Sequence, residues 1–376
     1  MPAAPTSIMR HFAALSDPRA ERGKDHLLLD ILTIALCAVI CGADSFVEME
    51  QFGNAKRAWF ATFLDLPNGV PSHDTFGRVF AALDPDEFGR CFLTWVRAAL
   101  PAVDTTVVAV DGKTARRSHD RGAGKAALHM VSAWASASGI TLAQVATDAK
   151  GNEIAAIPAL LDLLALDGCA VTLDAMGCQT AIAAQIIAQG GDYALALKEN
   201  HADLYREVAH LFADADATDG ADYEQERAET LDGGHGRVEL RRYDVLRDAR
   251  TLAHLDPDGR WEGLRAVGRV VAERRGAGSA TRETRYYLTS LADARRFGRA
   301  VRAHWGIENG LHWVLDVAFR EDESRARVGA SAANFAALRR LALNLLKAER
   351  TAKVGIKAKR LKAGWDERYL LQVLAA

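Results

Sequence analysis

The sequence predicts an α/β fold, in which a mixed β-sheet flanked by helices follows an all-helical N-terminal region. Two observations support this prediction. Apolar residues recur at helical spacing up to about residue 100, and β-branched runs begin soon after Pro101. From there to about residue 212, strand-like and helix-like segments alternate, which is typical of a sheet covered by helices.

The N-terminal region contains several segments with a helical pattern. The apolar segment Leu27–Cys41 precedes Gly42, which favours the end of a helix, and Ser45–Phe63 carries apolar residues at helical spacing. Ser72 is placed to cap a further helix, and Pro85 is placed to begin another. We therefore expect residues 1–100 to form a separate helical accessory domain.

Five strands are predicted in the alternating region, with the Ser138-Gly139 turn between the second and the third. They are Thr105–Val110, His129–Ser136, Thr141–Thr147, Cys169–Leu173 and Tyr193–Leu197. Helical patterns occupy Glu153–Leu166, Gln179–Gln189 and Tyr205–Phe212. Three antiparallel strands followed by alternating helix and strand match the order of an RNase H-like core.

Residues of about 214–290 interrupt this alternation and predict a β-rich insertion. Gly233–Gly236 is expected to be a turn, and Arg274–Ala280 a flexible hairpin tip. The insertion strands are predicted at Arg237–Val245, Leu264–Ala272 and Glu283–Thr289. Asp293 is a suitable cap for the helix that follows. We expect one domain over residues 101–346 and a basic helical tail over residues 347–376.

The bulk composition is that of an ordinary globular protein. The chain has 376 residues, a net charge of −2 and a hydrophobic content of 49%, so binding to nucleic acid would have to use local basic clusters. Residues 1–25 lack the apolar core of a signal peptide, which predicts a cytoplasmic protein. The apolar run Leu27–Ile40 is shorter than the roughly 20 residues of a membrane span and indicates a buried helix.

Three acidic residues are the strongest functional signal. Asp111 and Asp174 each follow an apolar β run, and Glu308 lies in a segment with the pattern of an amphipathic helix. In open α/β sheets, ligands bind at the carboxyl ends of neighbouring strands. Mg²⁺ prefers oxygen ligands, and two such ions serve both the attacking and the leaving oxygen of a phosphodiester. We therefore expect these carboxylates to hold two ions, Mg²⁺ or Mn²⁺.

Two segments offer alternatives to this metal site, a possible phosphate-binding loop and a possible zinc site. Gly112-Lys-Thr114 is similar to the end of a phosphate-binding loop, but Val107 stands where that loop requires a glycine, so no nucleotide cofactor is expected. His304, Glu308 and His312 are spaced four residues apart and are potential zinc ligands. Three successive turns of one straight helix diverge too far for one ion, so at most two of these residues would converge.

Several segments resemble the DDE insertion-sequence transposases of the H-repeat-associated group, which have an RNase H-like core. The resemblance extends over nearly the whole chain and is most specific in the segment His304–Asp322. The other matching segments are Val110–Lys113, Ala133–Ser136, Asp174–Met176, Leu197–Lys198, Phe12–Ala20 and Pro71–Phe76. The resemblance implies that Asp111, Asp174 and Glu308 are the catalytic metal ligands.

Two positions depart from the related enzymes. Those enzymes carry an arginine before the glutamate and a lysine after it, where this chain has His304 and Leu315. Arg302 is a candidate substitute for the missing arginine as a phosphate contact. The sequence therefore does not decide whether this protein excises DNA through a hairpin intermediate, as the related enzymes do.

Four residues are candidates for contacts to the DNA backbone: Lys198, Arg302, His304 and Arg325. Arg325 has the alternative of pairing with the nearby acids Glu321–Glu323. Trp261 has two possible roles, stacking on an extruded base or packing, and packing is the expected one. Trp305 and Trp313 are expected in the core.

The sequence thus predicts a transposase that cuts DNA at the ends of an insertion element and joins them to a target. Because two ends must be held together, a homodimer on DNA is expected. Two alternatives stay open: an RNase H-like nuclease that never joins ends, and a DNA-binding protein without catalysis.

Overall fold

A computed structural model describes residues 6–99, 103–120, 122, 124–147, 153–234, 237–276 and 279–376. The part before the first strand is helical, as predicted. Its helices are α1 (Thr6–Phe12), α2 (Leu28–Ile40), α3 (Phe46–Ala55), α4 (Arg57–Phe60), α5 (His73–Ala82) and α6 (Pro85–Ala99). Ser45 and Ser72 accept hydrogen bonds from the first turns of α3 and α5, which fixes where these helices begin.

Nine strands form one mixed sheet in the order β3-β2-β1-β4-β5-β9-β8-β7-β6. The strands are β1 (Val107–Thr114), β2 (His129–Ala135), β3 (Ile140–Thr147), β4 (Ala170–Leu173), β5 (Asp192–Leu197), β6 (Gln225–Gly234), β7 (Arg237–Leu246), β8 (Ala266–Gly276) and β9 (Ser279–Thr289). β1, β2 and β3 are antiparallel, whereas β4 lies parallel to β1 and β5 parallel to β4. This arrangement confirms the predicted RNase H-like mixed sheet.

The β-rich insertion continues the same sheet, because β9 pairs antiparallel with β5. Two of its elements were not predicted. β6 is largely exposed and lacks apolar alternation, so it carries no strand pattern. The short helix α10 (Ala249–Leu255) begins at Asp248, whose side chain caps it. Gly233 and Gly234, predicted in a turn, end β6, whereas residues 235–236 lie outside the described part.

β1 is longer than predicted. Its pairing with β2 continues from Val108 to Thr114, so Asp111 lies within the strand and opposite Ser132. The prediction that the strand ends at Val110 was wrong. The strand continues through Asp111, Gly112 and Lys113, which are residues that do not have the apolar pattern of a strand. The predicted flexible tip Arg274–Ala280 belongs largely to β8 and β9, and residues 277–278 lie outside the described part.

Helices cover the sheet and join it to the N-terminal region. After β3 come α7 (Glu153–Asp162), α8 (Thr180–Ala188), α9 (Ala202–Ala217), α10, α11 (Ala294–Ile307), α12 (Trp313–Phe319), α13 (Ser331–Ala348), α14 (Ile356–Trp365) and α15 (Glu367–Leu374). Buried residues fill almost the whole length of α13. Its Asn334 donates to the carbonyl oxygens of Phe80 and Leu83, and its Asn344 binds the backbone of Thr141 in β3. α13 therefore holds the helical region against the sheet.

The C-terminal tail packs against the rest of the chain. Lys359 and Arg360 are 6% and 4% exposed, and both donate to backbone carbonyl oxygens. These two basic residues are therefore structural, although the sequence placed them in a basic tail. Within the described part of the chain, no helix combines the length and apolar character needed to cross a membrane.

Candidate active site

Asp111 and Asp174 lie on neighbouring strands. β1 and β4 are parallel, and Val110 is paired with Leu173. The residue after each of these partners is an aspartate, Asp111 within β1 and Asp174 just beyond the end of β4, so the two carboxylates lie near each other. Asp174 is held at the end of β4 by accepting hydrogen bonds from the backbone N–H groups of Met176 and Gly177, at 3.0 and 3.3 Å. Strand register therefore brings the two carboxylates together.

Glu308 comes from a break in the helix that crosses these strands. α11 packs on β1 and β4, and a π-helical turn, Glu308–His312, separates it from α12. The sequence predicted Glu308 inside a regular amphipathic helix, whereas it opens this wider turn. Single π turns are rare and are frequent at functional sites. Here the turn carries both Glu308 and His312.

Gly310 allows the π-helical turn to approach the sheet. A Cβ atom at this position would lie 2.9 Å from Cζ2 of Trp134, a buried side chain of β2. Lys347 donates to the Gly310 carbonyl oxygen at 2.9 Å, which satisfies a backbone acceptor that the wider turn leaves. Burial lowers the pKa of Lys347 to about 7. The turn is thus fixed by contacts from both β2 and α13.

One cavity of about 380 Å³ is bordered by all three predicted catalytic carboxylates, Asp111, Asp174 and Glu308. Lys198 and His304, two of the predicted DNA contacts, border it as well. The cavity lies beside Asp111 of β1 and between β4, β5, β9 and the helix α11. Its border thus combines three carboxylates with the cationic side chains of Lys198 and Arg285.

The tightest cluster within this site joins Asp111, Glu308 and His312. One ligand atom from each lies within 4.8 Å of the others. His312 Nδ1 is 3.0 Å from Glu308 Oε2 and 3.6 Å from Asp111 Oδ2. Asp174 is not a member of this cluster, although it borders the same cavity. Among the three residues of the zinc alternative, Glu308 and His312 converge and His304 does not.

The carboxylates of the site have shifted acidities. Burial raises the pKa of Asp111 to about 6, and the nearby Asp174 and Glu153 carboxylates act in the same direction. The hydrogen bond from His312 lowers the pKa of Glu308. Like charges brought together in a partly buried pocket are stabilised by a cation. The oxygen-rich donor set therefore fits divalent metal ions.

Lys113 connects the two motifs that carry the carboxylates. Its ammonium lies 2.8 Å from Asp316, 3.1 Å from Asp322 and 3.5 Å from Glu321, and its side chain is 7% exposed. Arg340 of α13 donates to Glu321 at 2.8 Å. The separation of these residues along the sequence does not predict the contact. Lys113 lies in the short matching segment Val110–Lys113, and the three acids lie in the more specific segment His304–Asp322.

Gly112 leaves room for a buried acid–base pair behind Asp111. His129 Nε2 lies 3.1 Å from Glu153 Oε2, and His129 Nδ1 lies 2.9 Å from the Thr114 hydroxyl. A Cβ atom on Gly112 would sit 2.8 Å from the Glu153 carboxyl carbon and closer still to His129 Nε2. This pair, which sequence reasoning missed, holds β1, β2 and α7 together.

The four predicted DNA contacts occupy different surroundings. Lys198 is exposed at the cavity, and His304 Nδ1 lies 2.9 Å from the Thr172 hydroxyl. Burial lowers the pKa of His304 to about 4, so a neutral ring faces the site. Arg302 borders a separate cavity of about 340 Å³ against the insertion strands. Arg325 is exposed on a third surface between α3, α5 and α13.

The tryptophans depart from expectation. Trp305 is 38% exposed and Trp313 60% exposed, so their prediction as core residues was wrong. Trp305 borders both the carboxylate cavity and the cavity of Arg302, and the Arg285 guanidinium lies 4.3 Å from its ring centre. Trp261 is 9% exposed and packs edge-on against His201, which agrees with its expected packing role.

Comparison with known families and proteins gives a consistent result. Residues 100–345 match the model of the transposase DDE domain, and residues 9–96 match that of a domain associated with it. The chain is 38% identical to "Putative transposase YncI" of Escherichia coli O157:H7, over 98% of this chain and 95% of that one. It is 36% identical to "H repeat-associated putative transposase YhhI" of Escherichia coli K12, over 98% and 97%.

One solved structure is similar in part. A cryo-EM structure of the piggyBac transposase synaptic complex with hairpin DNA aligns with 95% of this chain and 75% of its own, at 8% identity and a TM-score of 0.42.

Proposed function

Because this chain belongs to the transposase DDE domain family, we propose that it cuts DNA at the ends of an insertion element and joins the freed 3′ hydroxyls to target DNA. Asp111, Asp174 and Glu308 are the proposed catalytic residues and hold two divalent ions, Mg²⁺ or Mn²⁺. The observation that carries the proposal is the single cavity that these three carboxylates border. Such ions polarise phosphoryl oxygens and activate the attacking oxygen.

Cleavage and joining differ only in the nucleophile. In cleavage, a water oxygen attacks the phosphorus and the bond from phosphorus to the 3′ oxygen breaks. The water gives a proton to solvent and the departing 3′ oxygen takes one up, which leaves a 5′ phosphate and a 3′ hydroxyl. In joining, this 3′ hydroxyl gives its proton to solvent as its oxygen attacks a target phosphorus, and the bond from that phosphorus to the target's 3′ oxygen breaks, so that this oxygen leaves as a hydroxyl after taking up a proton. The residues of this chain fix the geometry: the carboxylates hold the ions at the strand ends, and Lys198 binds a non-bridging phosphate oxygen.

Lys198, Arg302, His304 and Arg325 are proposed as contacts to the DNA backbone. Of these, Lys198 and His304 border the carboxylate cavity, so they would touch the scissile region. The neutral His304 would act as a hydrogen-bonding group rather than as a cation. Arg302 and Arg325 would touch DNA further from the cut. We propose that two copies act together on paired element ends, and that the protein works in the cytoplasm on the DNA that encodes it.

The proposal is tested by a strand-transfer assay with the purified protein. The substrate is a duplex that carries the inverted repeat flanking the gene, with its 3′ end already cut, together with a plasmid target and Mg²⁺ or Mn²⁺. We expect joined products that need the divalent ion and are lost in Asp111→Asn and Glu308→Gln. The matched control is Glu323→Gln, an exposed acid on the loop after α12.

Three outcomes separate the possible functions. Joined products that depend on Asp111 support the transposase. Hydrolysis of the same repeat supplied uncut in a parallel reaction, with no joining of the pre-cut duplex, supports a nuclease of the same core. Binding of the repeat with neither reaction, and with the same affinity in Asp111→Asn, supports a DNA-binding protein without catalysis.

A further inference from the structure

His312 is the residue of the site whose role the family motif does not assign. Its ring is 4% exposed and lies in the π-helical turn, one turn after Glu308. Nδ1 faces both Glu308 Oε2, at 3.0 Å, and Asp111 Oδ2, at 3.6 Å. The same nitrogen therefore points to the space that the two proposed metal ligands share.

Among the described residues, the polar contacts of this buried ring are all on the Nδ1 side. Nε2 is buried and has no hydrogen-bond partner among the described residues. A buried polar ring is held in place by its partners, and for His312 these partners are the Asp111 and Glu308 carboxylates. The described polar contacts of the imidazole are thus all with the proposed metal-binding groups.

His304 provides a contrast within the same segment. It lies one helical turn before Glu308 and also borders the cavity, but its Nδ1 is engaged with the Thr172 hydroxyl at 2.9 Å. It is not part of the cluster in which the ligand atoms of Asp111, Glu308 and His312 lie within 4.8 Å of one another. Of the two histidines that flank Glu308, His312 is the one with described ion-pair contacts to the Asp111 and Glu308 carboxylates.

We propose that His312 Nδ1 is a direct ligand of the divalent ion held by Asp111 and Glu308. One ion then has a mixed oxygen and nitrogen donor set, and Asp174 with Asp111 serves the second position. Imidazole suits transition metals better than Mg²⁺, which prefers oxygen ligands. The site should therefore favour Mn²⁺ over Mg²⁺ more strongly than three carboxylates alone would. This inference deepens the proposed function, because it concerns the same metal site.

The test uses Mn²⁺ bound to the full-length protein without DNA. Electron spin echo modulation detects a nitrogen bonded to Mn²⁺, and we expect this signal in the wild-type protein. Uniform labelling of histidine with ¹⁵N should replace the ¹⁴N modulation, which identifies histidine as the donor without any substitution. His304→Gln should retain the signal, and His312→Gln should lose it.

Calorimetric titration gives a second measurement. Loss of an outer-shell partner already lowers metal affinity roughly 10- to 100-fold, so His312→Gln should weaken Mn²⁺ binding by at least about tenfold. The affinity for Mg²⁺ should fall by a smaller factor, because a nitrogen ligand stabilises bound Mg²⁺ less than bound Mn²⁺. His304→Gln is the matched control, with little change expected for either ion.

The outcomes also separate this inference from the proposed function. Mn²⁺ binding that depends on Asp111 but shows no nitrogen signal in the wild-type protein would overturn the role of His312 as a ligand and leave the transposase proposal standing. A nitrogen signal that survives in His312→Gln would also overturn it. A histidine signal together with failed strand transfer would support the ligand and contradict the proposed reaction.

Discussion

Lys113 Nζ lies 2.8 Å from Asp316 Oδ1, so the strand that carries Asp111 is tied directly to the helix that follows Glu308. The same ammonium is 3.1 Å from Asp322, which extends the contact to the loop after α12. Lys113 does not border the carboxylate cavity. Its contacts instead fix the distance between the two elements that supply Asp111 and Glu308.

Replacing Lys113 with methionine should destabilise the protein. The substitution keeps most of the side-chain volume but leaves Asp316, Asp322 and Glu321 without their shared cation. Removing one partner of a buried ion pair costs roughly 3–5 kcal/mol, and we expect about 3 kcal/mol here because Asp316 is partly exposed. Urea denaturation measures the difference.

The control for this experiment is Arg116→Met. Arg116 pairs with Asp322 at 3.1 Å, but its side chain is 82% exposed. A surface pair of this kind contributes at most about 1 kcal/mol. Similar small losses for both variants would show that Lys113 is not an anchor.

Gly112→Ala should also destabilise the protein and disturb the site. The added methyl group would meet His129 and the Glu153 carboxyl group, both buried against β1. Because neither side chain has free space, the strand or the pair must move, at a cost of roughly 1–3 kcal/mol. Thermal unfolding measures this cost, and Gly355→Ala, where an added Cβ meets nothing within 4 Å, is the control. Equal melting temperatures for the two variants would contradict the argument.

Lys347 should make stability increase with pH above neutrality. Its pKa is lowered from 10.5 to about 7 in the folded protein by burial. Between about pH 7 and 10.5 the unfolded chain therefore binds a proton that the folded chain does not. The free energy of unfolding gains from this group as pH rises, by up to about 1.4 kcal/mol per pH unit.

Lys347→Met removes that contribution while keeping an apolar contact with Trp134. Urea denaturation at about pH 7 and about pH 9 should show that the stability of the wild-type protein, relative to this variant, rises between the two values. Lys353→Met, at an exposed position, controls for the loss of a positive charge elsewhere. A constant difference across the two pH values would show that Lys347 does not titrate in this range.

Trp305→Ala should weaken DNA binding more than it weakens the fold. The ring is partly exposed between the carboxylate cavity and the cavity of Arg302, next to the Arg285 guanidinium. Stacking of a base on an aromatic ring contributes roughly 1–3 kcal/mol, so we expect the affinity for element ends to fall roughly 5- to 100-fold. Fluorescence anisotropy with labelled DNA gives the affinity. Trp365→Ala, which removes a ring that is 77% exposed on α14, should leave it nearly unchanged.

Much of the fold could be predicted because its strands are apolar and its helices amphipathic. β1, β4 and β5 contain apolar runs, and their order along the chain indicates parallel pairing. From this pairing the sequence predicted that Asp111 and Asp174 lie side by side. The outward-facing, polar strand β6 was not found, since an exposed edge strand has no apolar alternation to detect.

Parts of the site depend on contacts that one sequence does not contain. An apolar side chain on an amphipathic helix indicates burial, so Trp305 was placed in the core. Trp305 instead borders the cavity between α11 and the insertion strands, which leaves it partly exposed. The π-helical turn was also missed, because Glu308 and His312 have the same four-residue spacing in an ordinary helix. The backbone of residues Glu308–His312 shows the wider turn, and the close packing of Gly310 against Trp134 accompanies it.

That turn also decides how the segment responds to the loss of a residue. A π turn closes i→i+5 hydrogen bonds and therefore holds one residue more than an α turn. Deleting one residue between Glu308 and His312 would let the turn close as a regular α-helix, so Asp316 would keep its contact with Lys113 and Leu315 would stay buried. A gene copy that loses one codon here should therefore still fold with its acidic motif complete, and its defect should be confined to this turn, a form of decay that inspection of the motif alone would not detect.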